Sequence, residues 1–346
     1  MTRSSRVLIT DAESLAGLGA VRSLGRAGYT VIAATTHDKR RPASSWSRYA
    51  AARLTYPDAW VHQMAFRDWI REQARRDTYD WVLPISEAAV AAVAAVRHEL
   101  PEAVTALIPS DAALAFTLSK YRATRKALAL GIRCPTTVFV SDGTSLAVCT
   151  HDLSILRFPV VIKSDNYVSA QGAYHKGETF YAATMAHAAA ILRELRQRPT
   201  GVIAQAYIPG GGAGAFLLRC GGRTSLRFAH RRLHEVPYTG GYSSYRESCH
   251  DPELLHLGEQ ILHAIDYDGV AMVEFRRGLH DNQLYFLEIN GRLWGSLALA
   301  LHCGVDFPRA LLESHQNGRP YGPVPSYRAG IRCRNLFPGE VDHLTS

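Results

Sequence analysis

Residues 272–292, MVEFRRGLHDNQLYFLEINGR, decide how the rest of the chain is read. Two apolar runs flank a polar segment, Gly278 to Gln283, and this pattern predicts a β-hairpin. A turn centred on position 281 sets Glu274 directly opposite Glu288. Like charges facing each other across antiparallel strands repel, and carboxylates inside apolar strands are costly without partners. Asn290 shares the face of Glu288 by the two-residue strand period. A divalent cation resolves the conflict. Two carboxylates and an amide oxygen are hard ligands that suit Mg2+, which takes the rest of its shell from water and phosphates. Arg292 follows two residues later, placed to meet a phosphoryl or carboxylate group with its planar fork. The plainer alternative is a solvated hairpin face with ordinary salt bridges, but VEF and FLEIN are too apolar for an exposed pair.

The chain around this hairpin has 346 residues, 47% hydrophobic and 20% charged, which suits a globular protein of two or three domains. The longest small-apolar run, Ala88 to Val96, is far short of a bilayer span. Asp11 and Glu13 interrupt the basic N-terminal stretch, so no export signal is expected and a cytoplasmic location is. Six cysteines form no close pair, which argues against a zinc site or a disulfide framework and for a reducing compartment. The net charge of +8 is dispersed, without a basic tail or aromatic-interleaved basic motif. That distribution disfavours nucleic acid and suits a site for phosphates and carboxylates.

Strand patterns at 6–10, 29–34, 81–85 and 105–108 alternate with helix patterns at 18–27, 60–76 and 87–98, which predicts a parallel sheet over residues 1–108. Asp111 reads as the N-cap of one helix over 112–129. Strands are expected at 136–140, 158–163, 202–208, 215–219, 224–233, 270–276 and 284–290, and helices at 184–197, 252–266, 294–303 and 306–314. After Gly318 the chain reads as a covering tail. Gly17-Leu18-Gly19 lies between a strand and a helix, yet Arg22 occupies the third glycine position of a dinucleotide fingerprint. Tight strand-to-helix packing explains these glycines better.

Lys163 ends the apolar strand FPVVIK, as an edge device or as a phosphate ligand. The small-residue segment that follows, 164–177, reads as a lid whose backbone N–H groups close over phosphates. Lys120 begins as no more than a helix charge. Gln205-Ala206-Tyr207-Ile208 before PGGG suits an adenine edge and ring, or a plain core strand. His230 and His234, four residues apart, are expected on one strand face, with a structural role favoured over substrate contact.

With these residues assembled, the chain resembles ATP-grasp proteins of the carbamoyl-phosphate-synthase-like, carboxylate–amine ligase type. The resemblance rests on SKYRATRKALALGIRCPTT, FPVVIKSD, IAQAYIPGGG, RRLHEVPYTGGYSSYRES and VEF…FLEINGRLWGS, in that order and spacing. It implies α/β and α+β architecture: an N-terminal parallel-sheet α/β domain, residues 1–108, then an ATP-grasp fold, residues 109–346. The latter divides into a lid subdomain, about 137–206, and a catalytic subdomain, about 207–346. It implies ATP and Mg2+, usually two ions, with Mn2+ as a substitute. Lys120 and Lys163 would hold phosphates. Gln205, Tyr207 and Ile208 would hold adenine, and Glu274, Glu288 and Asn290 would hold the metal. Arg292 would act on the transferred phosphoryl or the acyl intermediate. The loop YTGGYSSYRES, with Arg246, would face phosphates or substrate. Its partners would be a small-molecule carboxylate and an amine, with no nucleic acid or membrane, and a homodimer is compatible. One departure stands out: the hinge offers no acid for the ribose hydroxyls. Rival readings are a small-molecule kinase on the same metal cradle and a nucleotide-binding module without catalysis.

Overall fold

The computed structural model describes residues 4–36, 47–76, 79–140, 152–169, 173–237, 240–322, 326–336 and 341–345. Five parallel strands come first: β1 Arg6–Ile9, β2 Thr30–Thr36, β3 Ala50–Tyr56, β4 Trp81–Leu83 and β5 Thr105–Ala106, in the order β3-β2-β1-β4-β5. β3 escapes sequence reading because AAARLTY is an edge strand, mostly exposed, with no apolar alternation. The helix Leu15–Arg26 starts on a Ser14 cap and lies so close to the end of β1 that a Cβ on Gly17 would come 2.3 Å from the Asp11 carbonyl oxygen. Gly19 touches Leu297 on the opposite side. These glycines therefore serve packing.

The helix expected over 112–129 is two helices, Asp111–Thr117 and Lys120–Ala129. Each has its own serine cap: Ser110 Oγ accepts from Ala113 N at 3.2 Å and Ser119 Oγ from Arg122 N at 3.0 Å. Asp111 is thus the first helical residue and Ser110 the cap. The break at Ser119 puts Lys120 at the start of the second helix.

An antiparallel sheet of four strands follows, built from β6 Thr137–Val140, β7 Val160–Ser164, β10 Thr179–Ala182 and β11 Val202–Ala206, in the order β10-β7-β11-β6. The helix Met185–Leu195 buries Ala188, Ile191, Leu192 and Leu195 against it. Between β7 and β10 a small hairpin, β8 Tyr167–Val168 and β9 Tyr174–His175, occupies the expected lid, of which 170–172 lie outside the described residues. Tyr174 is buried and meets Trp60, packed with the parallel sheet, edge-on, ring centroids 5.6 Å apart.

The largest sheet is antiparallel: β12 Gly210–Cys220, β13 Arg223–Val236, β14 Tyr242–Cys249, β15 Gly269–Gly278, β16 Leu284–Asn290 and β17 Arg332–Arg334, in the order β16-β15-β12-β13-β14-β17. The YTGGYSSYRES segment, expected as a loop, forms β14 from Tyr242 onward, paired on both sides. The covering tail adds the edge strand β17, and the helix expected from 294 begins at Leu297. Along β12 the odd residues Ala213, Ala215 and Leu217 pack in one core with the helix Pro252–Ala264 and the helices of 111–129. The even residues Phe216 and Leu218 join a second core with Trp294, the helices Leu297–His302 and Phe307–Asn317, and the parallel sheet. Trp294 sits 4.5 Å from Phe216 and 4.9 Å from Phe307, ring to ring. Each such buried ring contributes about 2 kcal/mol of apolar burial. Further along the same even face come Gly214, Gly212 and Gly210. With no side chains there, neighbouring ones lie across the strand: Phe216 closes on Gly214, and Arg232 and Glu235 close on Gly212.

The five described cysteines are free thiols, and Cys149 lies outside the described residues. Among the described residues no helix is long and apolar enough to cross a membrane.

Candidate active site

A cavity of about 430 Å3 opens between the four-stranded and six-stranded sheets. Lys120, Lys163, Gln205, Tyr207, Ile208, Arg246, Glu274, Glu288, Asn290 and Arg292, every residue singled out from the sequence as a site residue, line it. The structure adds Glu87, Arg232, Glu235, Arg276 and Tyr181 to the same wall.

The hairpin register brings Glu274 opposite Glu288 and Met272 opposite Asn290. A bulge then shifts the pairing, so that Phe275 faces Phe286 and Leu287 is the extra residue. Leu287 turns into the cavity wall. Asn290 Nδ2 donates to Glu274 Oε1 at 2.9 Å and to Glu288 Oε1 at 3.1 Å, holding the two acids around one amide. Its Oδ1 accepts from Arg292 at 3.3 Å, and Arg292 also donates to Glu87 Oε1 at 3.2 Å. Glu87 opens the first turn of the helix Glu87–Val96, which follows β4, so an element packed with the parallel sheet reaches into the site.

Each acid has its own cation. Lys120 Nζ lies 3.4 Å from Glu288 Oε2. Arg232 binds the second oxygen of Glu274 and also pairs with Glu235 at 3.2 Å. Arg232 stands on β13 and Glu274 on β15, so the guanidinium crosses over β12. It does so at Gly212, where a Cβ would come 2.6 Å from Arg232 Cδ and 2.5 Å from Glu235 Oε1.

Burial works to raise the Glu288 carboxyl, but the charges of Lys120 and Lys163 outweigh it and hold the group down at about 2. Glu274 moves the other way: burial pushes it up and the nearby Glu288 charge adds to this, against Arg232. Burial draws Lys163 down to about 8. For Lys120 the burial effect is outweighed by Glu288, Glu87 and Asp165, and the net shift is upward. The site thus keeps one ionised acid, one more basic acid and a lysine of weakened proton affinity.

Lys163 Nζ donates to Gln205 Oε1 at 2.9 Å, and Gln205 Nε2 donates to Thr137 Oγ1 at 3.1 Å. Arg276 Nε donates to the Ile208 carbonyl at 2.7 Å, and its guanidinium lies over the Tyr207 ring at 5.7 Å. Tyr181 meets Tyr207 edge-on at 6.0 Å. A slot with aromatic walls and backbone groups results, the surroundings a planar heterocycle takes.

The two histidines part company. A bulge at Leu233 shifts the β13–β14 register between Arg232 and His234, which puts them on opposite faces. His230 is fully buried, stacked on Phe216, with Ser296 Oγ 2.9 Å from Nε2; burial keeps it neutral. His234 stacks on His343 of the C-terminal helix.

No sequence signal marks Glu87, since an acid in a first helical turn reads as a dipole complement. Arg232 did leave one: it is two residues from His230 in a strand, hence directed to the same buried face. Among the described residues no three His, Cys, Asp or Glu side chains are grouped to hold a metal ion. A divalent ion here rests on two carboxylates and needs amide, water or phosphate oxygens for the rest. Rotating the Asn290 amide, which exchanges O and N at no steric cost, turns an oxygen toward both acids. The donor set fits Mg2+.

Residues 220–336, about a third of the chain, match the family described as ATP-grasp in the biosynthetic pathway with Ter operon. No curated protein sequence matches. Among solved structures, a biotin carboxylase complex with β,γ-ATP from Campylobacter jejuni is similar, at 15% identity and TM-score 0.73, over 95% of this chain and 74% of that one. N5-carboxyaminoimidazole synthetase from Staphylococcus aureus is similar at 12% identity and TM-score 0.68, over 94% of this chain and 81% of that one. L-amino acid ligase from Bacillus licheniformis is similar at 14% identity and TM-score 0.65, over 91% and 74%.

Proposed function

Because the chain has the ATP-grasp fold, we propose that it is an ATP-dependent ligase joining a small-molecule carboxylate to an amine through an acyl phosphate. The observation that carries this reading is the facing pair Glu274 and Glu288, tied by one amide and flanked by Lys120 and Lys163 in a single cavity. The structures with similar folds include an ATP-analogue complex and an amino acid ligase, which supports the nucleotide and the reaction type.

ATP would place its adenine in the slot formed by Gln205, Tyr207 and Ile208, with its phosphates toward Lys163 and Lys120. Glu274, Glu288 and Asn290 would hold Mg2+, one ion or two, with Mn2+ able to replace it. The metal supplies charge neutralisation at the γ-phosphoryl. The chain's own groups do the rest by position and charge. Arg292, held by Glu87, presents its fork to the acid and the phosphoryl group. A substrate carboxylate oxygen attacks the γ-phosphorus, the bond to the β,γ-bridging oxygen breaks, and ADP leaves. The amine nitrogen then attacks the acyl carbon, the carbon–oxygen bond to phosphate breaks, and the amine proton leaves with solvent or phosphate. The lid hairpin β8–β9 would exclude water from the acyl phosphate.

The test crosses a panel of carboxylates with a panel of amines, reading phosphate release and product mass. ADP, phosphate and an amide in the same wells are expected. A stable phosphorylated acid without amide would assign a kinase instead. Nucleotide binding without ADP across the panel would assign a binding module.

A further inference from the structure

We infer that the carboxylate substrate carries a second anionic group, a carboxylate or a phosphate, which docks on Arg246 at the end of the cavity remote from Glu288. The inference rests on the ligase reading and adds the chemical class of its acid.

The cavity's charges nearly all find partners. Arg232 pairs with Glu274 and Glu235, Arg276 with Glu235, Arg292 with Glu87, and Lys120 with Glu288. Among the lining cations that are not exposed, two have no carboxylate within ion-pair distance among the described residues: Lys163 and Arg246. Lys163 stands where nucleotide phosphates are expected. For Arg246 the family resemblance implies only that it faces phosphates or substrate, and does not say which.

Arg246 is 3% exposed. It donates through Nη1 to the Ser243 carbonyl at 2.9 Å and through Nη2 to Cys333 Sγ at 3.4 Å, while its buried Nε has no partner. A carbonyl dipole and a thiol do not neutralise a guanidinium, and a buried, uncompensated charge is costly. The acid opposite Ser243 on the next strand, Glu235, is already shared by Arg232 and Arg276. Across the strand stands Arg232, itself paired with Glu235 and Glu274, and His230 is neutral with an unpartnered Nδ1. The nearby wall is completed by Asn335, just after β17. A pocket end whose nearest acid is already bound by two other arginines selects an anion.

The reacting carboxylate does not fill this place. It must meet the γ-phosphoryl beside Glu274, Glu288 and Arg292. Arg246 lies on β14, and β13 and β12 separate it from β15. Three strand spacings put about 14 Å between the two backbones. A substrate that satisfies both ends is therefore extended, with one acid group at Arg292 and another at Arg246.

Calorimetry on the full chain with Mg2+ and a non-hydrolysable ATP analogue tests this. The probes are butyrate, glutarate and 3-phosphonopropionate. Glutarate or the phosphonate is expected to bind at least about tenfold tighter than butyrate, which the relation between affinity and free energy makes easy to resolve. Arg246→Gln should abolish that preference, leaving analogue affinity near that of the wild type and a melting temperature no lower than the wild type's. Arg246→Lys should retain part of the preference and keeps the test open if the glutamine variant misfolds. Which dianion wins decides between carboxylate and phosphate. Equal binding of all three probes, or a preference that survives Arg246→Gln, overturns the inference alone. A wild-type chain that binds no ATP analogue overturns the ligase reading, and the inference with it.

Discussion

Two strand pairs of the same sheet, β15–β16 and β13–β14, each set like charges face to face, and they settle the conflict in different ways. Glu274 and Glu288 are tied by Asn290 and given cations from a neighbouring helix and from two strands away. Arg232 and Arg246 also face each other, but only Arg232 receives acids. Both pairs cost stability where they stand. The first cost is offset within the chain, whereas the second is left to whatever binds. A facing acid pair with internal partners is a preorganised cradle; a buried arginine without one is an open receptor.

The largest effect expected from disturbing this contrast is at the acid pair. Glu288→Gln should lower turnover by about three orders of magnitude, or ~4 kcal/mol of transition-state stabilisation, while circular dichroism shows an intact fold. Activity near wild type would remove Glu288 from the cradle. Arg292→Lys comes next. A point charge cannot reproduce the fork, so single-turnover rate should fall by about a hundredfold with nucleotide affinity within a few-fold. An unchanged rate with a depressed melting temperature would make Arg292 a brace between Glu87 and the hairpin.

A smaller effect isolates the bridge between the two pairs. Gly212→Ala would push against Arg232 and Glu235 and should cost about 1–3 kcal/mol in urea unfolding. Gly211→Ala, whose Cβ would meet nothing nearer than 3.9 Å, should be neutral or slightly stabilising. Equal effects at the two positions would mean that Arg232 does not depend on the gap. The smallest effect is with pH. Lys163 loses its proton as pH rises through about 8, so analogue affinity should weaken several-fold between about pH 7 and 9, and be flat in Lys163→Gln. The same lysine is protonated in the unfolded chain up to its ordinary value near 10.5. Between these values the unfolded state binds more protons, so the unliganded chain should gain stability from this residue as pH rises across that window. A slope of opposite sign in wild type relative to Lys163→Gln would contradict it.

The hairpin was legible because two apolar runs around a short turn leave little freedom of register, and register alone sets Glu274 against Glu288. The bulge at Leu287 was not, since an extra residue leaves no compositional trace. β14 was hidden for another reason. Its Ser, Tyr and Gly content reads as a loop, and only pairing with β13 and β17 makes it a strand. Ser119 concealed a helix break because one serine inside a helical pattern is unremarkable until Asp165 accepts its hydroxyl and Arg122 N donates to it. Partners far apart in the chain, such as Glu87 with Arg292, belong to tertiary geometry and no local pattern encodes them.

The chamber between the four-stranded and six-stranded sheets has a lining that holds seven lysines and arginines against four glutamates. Three formal positive charges are therefore in surplus, and the chamber acts as a small ion exchanger. Small anions from the medium will occupy it before any substrate arrives, and each incoming ligand must displace them. Phosphate and sulfate buffers should compete with both nucleotide and acid, and the phosphate released in turnover should linger as an inhibitor. Chloride should do so less, because it lacks the oxygens that an arginine fork grips.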